Sequence, residues 1–399
     1  MVPEVSRPTV AVTPRRIVRP DDAEARVSPL ELFFDLVFVF ALTQVTAFMA
    51  DDPTFAGMGR GLMILAILWW AWSGYAWLTS TVDPELGTPR IVIFLAMGAF
   101  LVVALATPGA FGEDGVLWGL AYFAVRILHV ALFRVAARGD AALRRQVRSL
   151  LWSAIPGAGL IILASAAFDG TARDLLWATA LVLDYGIVLS YGVEGWHVHA
   201  EHFAERFGLV VIIALGESVV AIGVGAEDLG TTLEELAAAG LALAIVCMLW
   251  WAYFDLYALV AERRFREAVG VEQLRIARDS YALLHFLLIA GIVLFALGVK
   301  KLLEHPEDPL KDMPAVALCG GLAVYALGMV AFRMRNTGTV ATARIVTAAL
   351  CLAPVPIAMD APGLVALSLL AAVWVGLIAY ETLRYREFRA SVRSEYAAH

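Results

Sequence analysis

The sequence predicts an all-α polytopic membrane protein, with about twelve transmembrane helices arranged as two six-helix repeats in the same orientation. Three observations carry that reading. Hydrophobic residues make up 61% of the chain and charged residues 17%, with a mean hydropathy of +0.77; soluble domains run at about 45–50% apolar and about 25% charged. The apolar residues come in runs of about twenty, the length that crosses the hydrocarbon of a bilayer. Finally, "LWWAWSGY" at 68–75 returns as "LWWAYFDLY" at 249–257.

Taken in order, residues 1–27 carry prolines, acids and Arg7, Arg15, Arg16, Arg19 and Arg26 without an apolar core. They read as a cytoplasmic polar tail, not a secretory signal. Hydrophobic spans follow near 29–50, 57–81, 89–107, 115–137, 146–168, 174–193, 203–225, 233–260, 276–299, 314–334, 339–359 and 362–383. The first repeat covers 28–195, the second 196–383, and 384–399 form a basic cytoplasmic tail. Arginines crowd alternate connections: Arg134 to Arg148, Arg263 to Arg278, Arg333 to Arg344, and the tail. The connections between them, such as "DDPTFAG" and "TPGAFGEDG", are acidic or neutral. By the positive-inside rule both termini of a multi-pass plasma-membrane protein would be cytoplasmic. Lys300 and Lys301 depart from the pattern, on the outer side beside acids. The formal net charge of −7 says less than this distribution. Cys247, Cys319 and Cys351 all fall in apolar runs and read as small buried hydrophobes.

Sliding the first helix by 173 positions sets Phe34 on Phe207, Ala41 on Ala214, Leu42 on Leu215 and Gln44 on Glu217. "LFR" at 132–134 answers "AFR" at 331–333. An even number of helices per repeat keeps the halves in one orientation, and sites are expected where repeats meet.

Polar residues inside such helices are costly and mark function or buried pairs. Ser28, Pro29 and Glu31 have the spacing of a capping box, with proline at the first helical position. Asp35 lies about 9 Å inside the cytoplasmic boundary at 1.5 Å per residue and needs a partner from elsewhere: an arginine at a cytoplasmic helix end makes it a structural pair, and a gating or proton-binding role is the alternative. In "GWHVHAEHFAERFGLVVIIALGES" (195–218), His197, His199 and His202 with Glu201 and Glu205 have the chemistry of metal ligands. His-x-His spacing points side chains apart on a helix, so solvated interfacial histidines are expected there and no metal site. Glu217 follows Arg206 by eleven residues, hence about 16 Å deeper on nearly the same face, close to the midplane. Glu217 and Ser218 are the sharpest site candidates, with Gln44, Asp184, Arg126 and His285 beside them. Arg126 needs Asp184 or Glu217 as counter-ion. Glu31, Asp35, His202, Glu205 and Arg206 form a cytoplasmic-side motif. Asp279 and His129 read as further intramembrane groups, Asp255 and Glu194 as hydrated helix ends, and Trp69, Trp70, Trp72, Trp250 and Trp251 as packing or interfacial residues. No nucleotide loop, zinc ribbon, nucleophile elbow or basic–aromatic stripe is present, so neither a cofactor nor nucleic acid is expected.

"LELFFDLVFVFALTQVT" and "HFAERFGLVVIIALGES" together resemble the two signature segments of the bacterial low-temperature-requirement protein A (LtrA) family. The likeness spans nearly the whole chain from about residue 28. It rests on Glu31, Phe33, Phe34 and Asp35, and on His202, Phe203, Glu205, Arg206, Phe207, Gly208, Gly216, Glu217 and Ser218; His197 and His199 lie outside it. It implies a multi-pass protein linked to growth in the cold and does not fix a molecular activity. The first helix is also similar to that of lysosomal-type potassium channels, but Arg26 precedes "FFD" at a different spacing and Gly208 stands where an acid would align with Asp35. Three functions remain open: a proton-coupled transporter of an unknown small solute or ion, with Glu217 as its ionisable midplane group; an ion channel; and a lipid- or quinone-binding membrane enzyme or cold-stress factor. A non-enzyme is favoured, the lipid bilayer is the expected partner, and oligomeric state is left open.

Overall fold

The computed structural model describes Val18, residues 26–225 and residues 232–396. Most of the expected N-terminal tail and part of the acidic connection at 226–231 lie outside the described residues. Long apolar stretches that must satisfy every backbone group internally become helices, and the described residues are overwhelmingly helical. Their only extended pairing is an isolated bridge between Val18 and Val82.

In the first half, α1 (Pro29–Asp51), α2 (Phe55–Thr81), α3 (Gly87–Ala106), α4 (Gly115–Ala136), α5 (Ala141–Ala167) and α6 (Gly170–Ser190) follow one another through short turns. The second half opens with α7 (Ala200–Gly225), α8 (Leu233–Phe254) and α9 (Tyr257–Glu267). Helix α10 (Gly270–Ile276) then passes through a π-helical turn, Ala277–Leu284, into α11 (His285–Glu304). Helices α12 (Asp312–Thr337), α13 (Thr342–Leu352), α14 (Val355–Asp360), α15 (Gly363–Arg384) and α16 (Arg386–Tyr396) complete the chain.

Among the described residues, eleven helical stretches have the length and apolar composition to cross a membrane, against the twelve expected. Helix α6 is the difference: it has 21 residues, but Arg173, Asp174 and Asp184 keep it out of that set. Two expected spans are also broken. The one near 233–260 turns between Phe254 and Tyr257, and the one near 339–359 divides at Pro354, where the missing N–H and the ring interrupt a helix.

Helix α11 is buried along most of its length and packs on α7, α12 and α1. Its approach to α12 depends on glycines: a Cβ on Gly298 would stand 2.5 Å from Leu318 Cα, and one on Gly291 would stand 2.7 Å from Gly321 O. Small residues of this kind let membrane helices meet backbone to backbone. The first half packs α1 on α3, α3 on α4, α4 on α5 and α5 on α6; the second packs α7 on α11, α11 on α12 and α12 on α13. The halves meet where α1 and α2 touch α7 and α11. Large apolar side chains such as Leu105, Trp152 and Trp250 are exposed on the outside of the bundle. Cys247 is exposed as well, against the expectation of three buried cysteines; Cys319 and Cys351 are buried.

Candidate functional site

The start of α1 forms the capping box that its sequence spells. Ser28 N–H donates to the Glu31 carboxylate at 2.9 Å and Glu31 N–H donates to Ser28 Oγ at 3.3 Å, with Pro29 at the first turn. The same carboxylate faces inward and is 1% exposed, so its role extends beyond the cap. Helix α7 runs alongside and brings Arg206 to it: Arg206 Nη1 donates to Glu31 Oε1 at 2.8 Å and to Thr79 Oγ1 at 3.1 Å, and Nη2 donates to Asp35 Oδ1 at 2.6 Å. Asp35 has thereby found the arginine its depth required. His202, one turn before Arg206, places Nε2 2.9 Å from Glu31 Oε1. Trp72 of α2 donates its indole N–H to Asp35 Oδ1 at 2.8 Å, and its ring lies 5.6 Å from the Arg206 guanidinium carbon.

This cluster has no access to solvent: Asp35, His202 and Arg206 are all 0% exposed. The expectation of solvated histidines is therefore wrong for His202, because α1 closes over the first turn of α7. It describes His197 better; that ring is exposed and pairs with Asp140 at 2.9 Å. The backbone N–H of His199 donates to Ser80 Oγ. Among the described residues no group of three His, Cys, Asp or Glu side chains is placed to hold a metal. Glu205 points outward, accepting the Val27 N–H at 3.1 Å. The cluster holds two carboxylates against one guanidinium, and His202 supplies a second positive charge when protonated. Asp35 Oδ2, His202 Nδ1 and Arg206 Nε have no hydrogen-bond partner. A buried charged network with open valences is one that exchange of a proton or a polar ligand would change most.

The remaining candidates occupy separate places. Glu217 is buried on α7 and accepts a short hydrogen bond from Thr43 Oγ1 of α1, with Thr46 next to it. Gln44, its expected counterpart, is half-buried beside Thr43, and the Ser218 hydroxyl is buried without a partner. Arg126 of α4 pairs with Asp184 of α6 at 2.8 Å and not with Glu217; Ser153 accepts from the same guanidinium and Tyr122 donates to Asp184 at 2.7 Å. His285 Nδ1 lies 2.8 Å from the Ser280 carbonyl, which only accepts, so Nε2 is left to accept from Tyr253 at 2.8 Å. His129 is held by the Gly74 carbonyl. Asp279 lies between Arg278 and Arg335, a quarter exposed. One further placement differs from expectation: Asp255 is paired with Arg389 instead of hydrated.

The sequence reading overlooked Trp72, Thr79 and Thr43, which complete the sites on α1. The available signal was weak: a buried indole is donor-only and has to find an acceptor, and Trp72 was one tryptophan among several expected to pack. Arg344 sits among the arginines of a basic connection in the sequence, yet it is 1% exposed and grips Glu381 through two hydrogen bonds of 2.8 and 2.7 Å.

No solved structure matches this chain. The uncharacterized protein RA0937 of Rhizobium meliloti (strain 1021) is 31% identical over 324 residues, covering 76% of this chain and 76% of the relative. The family model described as bacterial low temperature requirement A protein (LtrA) matches residues 26–379, from the capping box of α1 into α15. Both motif segments and the buried cluster they build fall inside that match, and the chain belongs to the bacterial low temperature requirement A family.

Proposed function

We propose that this LtrA-family protein is a proton-coupled transporter of a small solute, built from two six-helix halves, with α6 as the twelfth span and Glu217 as the intramembrane ionisable group. The observation that carries the reading is the seam between α1 and α7. At one end it holds the buried Glu31–Arg206–Asp35–His202 cluster, and about 16 Å farther on, at 1.5 Å per residue, Glu217 meets Thr43. Ionisable groups kept inside a membrane bundle mark ion or proton pathways by default. Between the two stations Phe38, Leu42, Phe207, Val210, Val211 and Ala214 are fully buried. That dry stretch favours a carrier that rearranges over a continuously open pore.

The parallel order of packing in the two halves supports the duplication, as does the placement of the two acid-bearing helices against each other. To test the function, proteoliposomes are offered a defined mixture of bacterial amino acids, organic acids and sugars under an inward proton gradient, and accumulation is read by mass spectrometry. At least one solute should accumulate only with protein and gradient, and Glu217→Gln should abolish that accumulation while retaining the folded protein's elution profile. Accumulation by Glu217→Gln equal to wild type overturns the assignment of Glu217, and no gradient-driven accumulation of any solute overturns transport.

A further inference from the structure

A second feature of the molecule lies away from the α1–α7 seam. A cavity of about 250 Å³ opens where α8, α9, α12 and α15 converge on α16. Its walls are aromatic and apolar, formed chiefly by Trp251, Tyr257, Phe332, Ile378 and Tyr385. Its charged lining comprises three guanidinium groups and two carboxylates. Arg344 is engaged by Glu381 and Arg389 by Asp255, which accounts for both acids. Arg333 donates Nε to Thr339 Oγ1 at 2.9 Å and has no carboxylate partner among the described residues. Beside it, the Tyr257 hydroxyl is buried without a well-formed hydrogen bond, and the Tyr257 ring is covered by Arg344 at 3.7 Å. The cavity therefore offers one positive charge without a carboxylate partner among the described residues, and beside it one hydroxyl with no well-formed hydrogen bond, along an apolar slot.

That chemistry suits an amphiphile with a single negative charge. The rim indicates its source. Helix α16 carries Arg386 and Arg389 along with an exposed Phe388, and Trp251, nearly half exposed, lies 5.9 Å from the Arg389 guanidinium. Basic and aromatic residues of this kind gather where a helix bundle meets the headgroup layer, and basic pockets between membrane helices take anionic lipid headgroups. We propose that this cavity is a binding site for an anionic phospholipid, with the phosphate on Arg333 and Tyr257 and the first part of an acyl chain between Trp251, Phe332 and Ile378.

The test is native mass spectrometry of the full-length protein released from vesicles containing equal amounts of phosphatidylglycerol and phosphatidylcholine. Wild type should retain one phosphatidylglycerol in preference to phosphatidylcholine. Loss of a charge-assisted hydrogen bond in Arg333→Gln should reduce that preference about tenfold, whereas Arg333→Lys should keep most of it. Ile378→Trp, which fills the slot and leaves the charge in place, should lower retention in the same way; thermal unfolding establishes that each variant is folded. No preference in wild type, or an unchanged preference in Arg333→Gln, overturns the proposal. Retention of added glycerol phosphate with no lipid preference overturns the lipid source.

Discussion

Arg206 is the residue on which the buried cluster turns. It is the one guanidinium between two carboxylates, and truncating it leaves Glu31 and Asp35 with no guanidinium between them. Removing one partner of a buried pair costs about 3–5 kcal/mol, so Arg206→Gln should lower the thermal midpoint sharply. Asp35→Asn should cost much less. Oδ1 can still accept from Trp72 and Arg206, and Glu31 remains on Arg206 as its counter-ion. Thermal unfolding in detergent decides it: a loss in Asp35→Asn equal to that in Arg206→Gln would show that the carboxylate charge itself holds the two helices together. The need for this pair was legible in the chain, because an acid one turn inside an apolar helix has few affordable counter-ions. The burial of His202 was not, because a histidine in the first turn of a helix looks the same whether or not a neighbouring helix crosses over it.

Helix ends show where local sequence decides structure. The Ser28–Glu31 box and the Thr232–Glu235 box at the start of α8 both form, since their donors and acceptors lie within four residues and need no tertiary partner. Asp140 does the same for α5, accepting from the Ala142 and Leu143 N–H groups at 2.9 and 3.0 Å. The Leu143 N–H and the His197 ring hold its carboxyl below the usual carboxylate range. A carboxyl lowered on folding contributes stability while it is ionised; the contribution is present above its unfolded value, near pH 4, and is lost as pH falls toward the folded value. Asp140→Ala should therefore cost about 1 kcal/mol at pH 7, a typical value for a lost cap. The gap from wild type should narrow below about pH 4 in unfolding midpoints measured at the two pH values, and a gap that widens in acid would refute the capping account. Breaks inside the elements were less legible. Pro354 announces one, but the turn between Phe254 and Tyr257 and the π-helical turn before His285 contain neither proline nor glycine, so no local breaker marks them.

At the scale of the whole molecule the question left by the fold is the number of crossings, and α6 decides it. Its 21 residues extend about 31 Å at 1.5 Å per residue, close to the roughly 30 Å of a bilayer's hydrocarbon. The charges that lower its apolar character are all compensated. Arg173 pairs with Asp169 and with backbone carbonyls, Asp174 pairs with Arg60 of α2, and Asp184 lies buried on Arg126 and Tyr122. A helix whose charges are matched by neighbours within the bundle can cross at a cost that its composition alone overstates. The distribution of the basic connections favours a crossing. With α6 crossing, the arginine-rich turns around 138–148 and 263–278 and the tail beyond 384 fall on one side, in keeping with the positive-inside rule; without it, every connection after α6 changes side. Protease-sensitive tags fused to the two termini should both be protected in spheroplasts and both be cleaved in inverted vesicles. Cleavage of one tag in each preparation would mean an odd number of crossings, leaving α6 as a helix packed in the bundle that does not span it.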